Sequence, residues 1–107
     1  MGMKPVIVLT TVGANHDARE LAADLVEKRL AACVNIVPRI ESVYRWQGNI
    51  QRDDEQLLII KTLDERVAAL KDAIFARHPY EVPEVIVVAI DDIGEAYGEW
   101  LIGAVRG

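Results

Sequence analysis

Val34-Asn35-Ile36-Val37-Pro38-Arg39-Ile40-Glu41-Ser42-Val43-Tyr44-Arg45-Trp46 is the stretch on which the fold turns. Its even positions are Val34, Ile36, Pro38, Ile40, Ser42, Tyr44 and Trp46, and its odd ones Asn35, Val37, Arg39, Glu41, Val43 and Arg45. Successive side chains of a strand point to opposite faces, so a period of two held this long predicts one extended, half-buried strand. Pro38 has no N–H to give to a ladder and marks a bulge or an unpaired edge position. Gln47-Gly48-Asn49 supplies a turn. A second strand runs from Ile50, polar through Arg52-Asp53-Asp54-Glu55 and apolar over residues 57–60.

Working outward, residues 6–12 (VIVLTTV) are apolar and β-branched almost throughout, as in a strand covered on both faces. Gly13 breaks the run, Asn15 is placed to cap a helix, and Asp17 falls in its first turn. Ala18, Leu21, Ala22, Leu25 and Ala32 recur at helical spacing over roughly four turns. Thr62 and Glu65 have capping-box spacing, with Asp64 as the alternative cap. Val67, Leu70 and Ile74 form the next stripe, and Pro79 stops that helix after His78. Residues 84–90 (EVIVVAI) read as another fully buried strand. Asp92 and Glu95 are placed to cap a last helix with the stripe Tyr97, Trp100, Leu101 and Ala104. The order β-α-β-β-α-β-α predicts an α+β, ferredoxin-like split βαβ domain. Its four-stranded antiparallel sheet carries two helices on one face, with a third appended. No linker, repeat or low-complexity tract divides residues 1–107, so one domain is expected.

Half of the 107 residues are hydrophobic, ample for a packed core. A chain this short buries only roughly 60–65% of its unfolded surface, so self-association would add to its stability. No apolar run approaches the ~20 residues that span a bilayer. Residues 1–4 lack the charged start and apolar core of a secretory signal, and the single Cys33 fits a reducing compartment. Both features predict the cytoplasm. A net charge of −5 disfavours nucleic acid and anionic membranes as partners. The same excess is compatible with cations and is also ordinary for soluble proteins.

The hairpin predicts partners. A 13-residue strand is roughly 43 Å long, against a diameter in the mid-thirties of ångströms for a domain of this size. Its tip overhangs its own sheet, leaving backbone groups unpaired and Tyr44, Trp46 and Ile50 in water. Another copy of the chain is the simplest cover, by edge pairing and aromatic anchoring. A hairpin curling back over its own core is the alternative. Symmetry favours a closed ring, and the pattern leaves two or three subunits open.

Leu30-Ala31-Ala32-Cys33-Val34-Asn35-Ile36-Val37-Pro38 and Ser42-Val43-Tyr44-Arg45-Trp46-Gln47-Gly48 resemble the signature of the CutA divalent-ion-tolerance family. So do Lys61-Thr62, His78-Pro79-Tyr80-Glu81-Val82-Pro83-Glu84, Tyr97 and Trp100, so that the resemblance covers essentially the whole chain. It implies a cytoplasmic homotrimer tied to tolerance of copper and other divalent metals, with no obligatory cofactor. It also implies an architecture like the PII signalling proteins, whose ligands sit in clefts between subunits. On that basis Trp46, Glu55, Lys61, Tyr80, Glu81 and Trp100 are expected to line an intersubunit cleft open to a small metabolite or nucleotide. The copper ligands proposed for the family's best-known bacterial member are a thiol on the first strand and two adjacent histidines before the Pro-Tyr pair. Here those positions are Thr10, Arg77 and His78, so only His78 is carried over as a metal ligand.

His78 also reads as a plain helix terminator, its imidazole favourable beside the C-terminal dipole. Cys33 reads as a small core residue and His16 as a surface one. No two of the three have local ligand spacing. Asp53-Asp54-Glu55 lacks the glycine and spaced oxygens of a calcium loop and reads as a solvated face or a source of ion pairs. Glu55 and Lys61 share a strand face, and Lys61, after four apolar residues, needs a partner for its charge. The chain has no phosphate-binding loop, nucleophile elbow or zinc-protease helix, so a non-catalytic role is expected.

Overall fold

Strand β1 (Pro5–Gly13) has a neighbour on each edge: β3 (Asn49–Leu63) on one side and β4 (Ile86–Ala89) on the other. Strand β2 (Cys33–Trp46) lies beyond β3, giving the order β2-β3-β1-β4 with every pair antiparallel. Three helices complete the α+β domain: α1 (Ala18–Glu27), α2 (Val67–Arg77), entered through a 3₁₀ turn at Asp64–Arg66, and α3 (Glu95–Arg106). This is a computed structural model and describes residues 3–107, so the reading of Met1 and Gly2 lies outside the described residues.

Register sorts the sheet into two unlike faces. Val8 pairs with Ile60, which pairs in turn with Val34, so all three point one way. On that face Val6, Val8, Val12, Leu58 and Ile60 pack with Ala18, Leu21 and Leu25 of α1 and Leu70 and Ile74 of α2. A smaller cluster of Ala32, Leu63, Leu101 and Val105 seats α3 at the end of β3. Ile7, Leu9, Leu57 and Ile59 point the other way and stay half-buried, beside Ile86 and Val88 at 48% and 41% exposure. The subunit thus leaves most of one apolar sheet face open.

The long hairpin is as expected, with a long molecular axis of 44 Å against 27 and 22 Å. Pro38 lies in a bulge, where the register shifts between Val37 and Ile40. The turn is shorter than Gln47-Gly48-Asn49. Gln47 and Gly48 alone make it, with φ of 49° and 83°, and Asn49 already pairs with Trp46. Two successive positive φ angles match the right-handed twist of the flanking strands.

Several expected details are corrected. Asp17, not Asn15, caps α1, accepting from the Glu20 N–H at 3.1 Å. The helix ends after Glu27, and Ala32 belongs to the α3 cluster rather than to its stripe. Arg29 takes φ 57° just beyond, a conformation held by its guanidinium donating to the Ala104 carbonyl at 2.8 Å. Neither Thr62 nor Asp64 caps α2: Thr62 is a buried strand residue donating to the Leu30 carbonyl, and the Asp64 carboxylate accepts from the Lys4 N–H. Asp92 and Glu95 do not cap α3, whose N-cap is Gly94. That helix buries Gly98, Leu101 and Val105, while Tyr97 and Trp100 face outward. The run over residues 84–90 forms only a four-residue strand, exposed along its length, because Ile86 and Val88 lie on the uncovered face and Val87, on the other, stays outside the core packed under α1 and α2. Likewise β1 is fully covered on its helix-facing side alone.

Arg77 at the end of α2 pairs with Asp24 at 2.9 Å and Glu20 at 3.2 Å, tying α2 to α1. Asp24 also accepts from Lys28, and that bond, with Arg77 in support, holds its carboxyl below the ordinary carboxylate range. Such exposed pairs orient the helices more than they stabilise them. Stability rests on the core. Leu70→Ala, at a fully buried site, is expected to cost about 2–5 kcal/mol by urea denaturation. Lys71→Ala, exposed on the same helix, should stay within about 0.5 kcal/mol.

Candidate functional site

The ladder between β1 and β3 ends at Gly13 and Glu55, and beyond it the hairpin is two-stranded. Glu55 sits at that boundary, only 7% exposed. Its carboxylate is satisfied from the α2–β4 connection, where the Tyr80 hydroxyl donates to Glu55 Oε2 at 2.8 Å. Pro79 makes this reach by forcing His78 out of helical conformation, to ψ 132°, so the chain leaves α2 extended and turns back toward the sheet.

His78 pins that turn. Its Nδ1 accepts from the Tyr80 backbone N–H at 3.1 Å, so Nε2 carries the hydrogen and donates to the Thr11 carbonyl at 2.6 Å. The imidazole also packs on the Tyr80 ring, with centroids 4.6 Å apart. Both ring nitrogens are therefore engaged within the chain.

Between the hairpin root and this connection lies a groove of about 850 Å³. Thr11 and Gly13 line it from β1, Ser42, Tyr44, Trp46, Asp53, Asp54 and Glu55 from the hairpin, and Tyr80, Glu81, Val82 and Glu84 from the connection. The Tyr44 hydroxyl donates to Asp53, and that bond raises the Tyr44 phenol above its ordinary range. Burial first, then the bond to Glu55, raises that of Tyr80. The lining includes no lysine or arginine, and Arg39 pairs with Asp54 at 3.1 Å without joining it.

Four of the residues expected in one cleft, Trp46, Glu55, Tyr80 and Glu81, meet in this groove. Lys61 and Trp100 do not. Lys61 is on the same strand face as Glu55 but six residues along, roughly 20 Å away. Its ammonium lies 5.8 Å from the centroid of the Tyr97 ring, and Tyr97 stacks on Trp100 at 5.3 Å. The partner for its charge is thus an aromatic face. Cys33 is half-buried at the start of β2, opposite Lys61, and His16 is half-buried in the turn after β1. Among the described residues no three His, Cys, Asp or Glu side chains gather closely enough to hold a metal ion. No helix among them is long and apolar enough to cross a membrane.

Sequence reasoning did not place Thr11, Asp53 or Glu84 in the site, and it read Tyr44 only as an exposed anchor. The missing signal was the turn. With two residues in it Ser42 faces Asp53, whereas a third would slip the register and put Asp53 on the opposite face from Tyr44.

A family model described as "CutA1 divalent ion tolerance protein" matches residues 6–104. The chain is 47% identical over 95 residues to the divalent-cation tolerance protein CutA of Thermus thermophilus, covering 89% of this chain and 92% of that one. Against the chloroplastic protein CutA of Arabidopsis thaliana it is 46% identical over 101 residues, 94% of this chain but 56% of the plant protein. The chain thus spans about half the length of that plant relative. Among solved structures, CutA1 from Oryza sativa superposes with a TM-score of 0.93 at 44% identity, covering 98% of this chain and 96% of that one.

Tyr80→Phe removes a hydrogen bond to a carboxylate and should cost about 1–2 kcal/mol near neutral pH. The raised phenol adds a pH signature. A group whose pKa is higher folded than unfolded contributes its stability in full below the unfolded value, about 10 for tyrosine, and loses it as pH climbs above that. Urea midpoints should therefore fall above about pH 10 in the parent protein, and less steeply in Tyr80→Phe.

Proposed function

The chain belongs to the CutA1 divalent ion tolerance family, and we propose that it serves divalent-ion tolerance as a non-catalytic, cytoplasmic homotrimer of ferredoxin-like subunits. The observation that carries this reading is the 47% identity to a divalent-cation tolerance protein along 92% of that protein's length. Subunit association is supported by the open sheet face, where Ile86 and Val88 stay largely exposed, and by a hairpin that overhangs the body. Apolar surface of that kind marks an interface, and a ring of three would cover it in each copy. The groove supports binding over catalysis: its phenols donate to its carboxylates, and it pairs no nucleophile with a base.

Copper is assigned a weak site at His78, as a cargo ion. The surrounding residues fit a closed copper site poorly. Thr10 is fully buried among the residues under the helices, and Arg77 is committed to Asp24 and Glu20. Any ion taken by His78 must first displace Thr11 or Tyr80 from its ring. A second reading, a PII-like sensor with a metabolite or nucleotide in the cleft between subunits, draws support from the groove itself. The acidic lining of this subunit disfavours a phosphate-bearing ligand there.

Light scattering should give three times the 11.9 kDa subunit mass, and Val88→Glu on the open face should shift the population toward smaller species. In calorimetric titration, copper should bind weakly and sub-stoichiometrically, and still more weakly to His78→Ala. Tight stoichiometric binding that survives His78→Ala would overturn the assignment to that residue.

A further inference from the structure

The two faces of the overhanging hairpin differ in charge. Tyr44 pairs with Gln51 and Ser42 with Asp53, and these continue the row of Glu55 and Leu57 on the open side of the sheet. Arg45 pairs with Ile50 and Val43 with Arg52, continuing the row of Gln56 and Leu58 on the side that carries the helices further down. This far along the ribbon that side is bare. Val43 and Ile50 are 55% and 56% exposed, and among the described residues neither Arg45 nor Arg52 forms an ion pair. Unpaired guanidiniums alternating with bare aliphatic side chains are the composition of a contact surface, where arginine is enriched.

The groove on the other face has the opposite character. Asp53, Glu81 and Glu84 line it beside the exposed Val82, with no lysine or arginine among the lining residues. Side chains on opposite faces of one ribbon do not meet, so Arg45 and Arg52 are held away from the groove of their own chain. The match in charge and in apolar surface is available only between copies. Other cations are worse placed for it. Lys61 is engaged with the Tyr97 ring, and Arg19 and Lys71 sit on the helices that cover the opposite side of the sheet.

We propose that the groove receives the hairpin tip of a second copy of this chain, whose arginines at positions 45 and 52 meet Asp53, Glu81 and Glu84 while its Val43 and Ile50 pack on Val82. Tip and groove are different surfaces, so the contact is heterologous and repeats head to tail until the ring closes. The inference deepens the homotrimer reading and rests on it, and involves neither copper at His78 nor a small ligand in the groove.

Charge reversal tests it, read by light scattering over a dilution series of the full chain in a fixed, sub-denaturing urea concentration. Arg45→Glu with Arg52→Glu, and separately Glu81→Arg with Glu84→Arg, should each raise the concentration of half-dissociation at least about fivefold. All four positions are exposed, so circular dichroism should show both variants folded. The decisive sample carries all four changes. Every tip is then acidic and every groove basic, and assembly should return to within about twofold of the parent. The proposal is overturned if either pair of reversals leaves association unchanged, or if the fourfold variant stays as dissociated as the two-site ones. The parent protein separates the two failures. A parent at the single-subunit mass removes the homotrimer reading and this contact together, whereas a parent trimer indifferent to the reversals removes only this contact.

Discussion

β1 has nine residues and β3 fifteen, and the mismatch organises the molecule. Where the two pair, α1 and α2 have a sheet broad enough to cover, and the main core forms there. Past Gly13 and Glu55 only β2 and β3 continue, and a two-stranded ribbon has no layer to bury its faces. Side chains on the ribbon must therefore be polar, be covered from elsewhere, or stay wet. The acidic run, the α2–β4 connection and the exposed Tyr44 and Trp46 meet those three conditions in turn.

The groove follows from that boundary. A carboxylate as buried as Glu55 needs hydrogen-bond donors, because desolvation without them costs several kcal/mol. Tyr80 provides one, and Tyr80 is where it is because Pro79 breaks the helix and His78 clamps the turn to β1. The clamp has a chemical consequence. An imidazole with one nitrogen donating and the other accepting has no lone pair free for a metal, so holding the turn and holding an ion compete for the same ring. Family membership and this wiring together describe a member of the CutA1 divalent ion tolerance family whose helix-terminal histidine is first a structural part.

The apolar surface left by the subunit has one origin. β4 pairs with β1 alone, and no helix of the main layer lies over the face carrying Ile7, Leu9, Leu57 and Ile59. Those residues are as apolar as the covered ones. Hydrophobicity sets how strongly a side chain is driven from water and leaves open which surface receives it. An apolar run such as residues 84–90 is therefore equally consistent with a central strand or with an edge strand that another chain covers. The same ambiguity affected α3, where Leu101 and Val105 took the inward stripe and Tyr97 and Trp100 were left to stack on each other and meet Lys61.

The element order, the two long strands, the bulge at Pro38 and the stop at Pro79 were legible in the sequence, because each depends on local chemistry. Alternating side chains, a missing N–H and a forbidden helical conformation act within a few residues. The family signature was legible for the same reason, as ordered short motifs. The cap at Asp17, the length of the turn at Gln47-Gly48 and the partners of Glu55 were decided only in the folded chain. A single residue more in that turn would have sent Asp53 to the other face, since strand side chains alternate with a period of two. The hydrogen bonds that built the groove join β1, β3 and the α2–β4 connection across up to 67 positions of chain, and local pattern carries no information at that range.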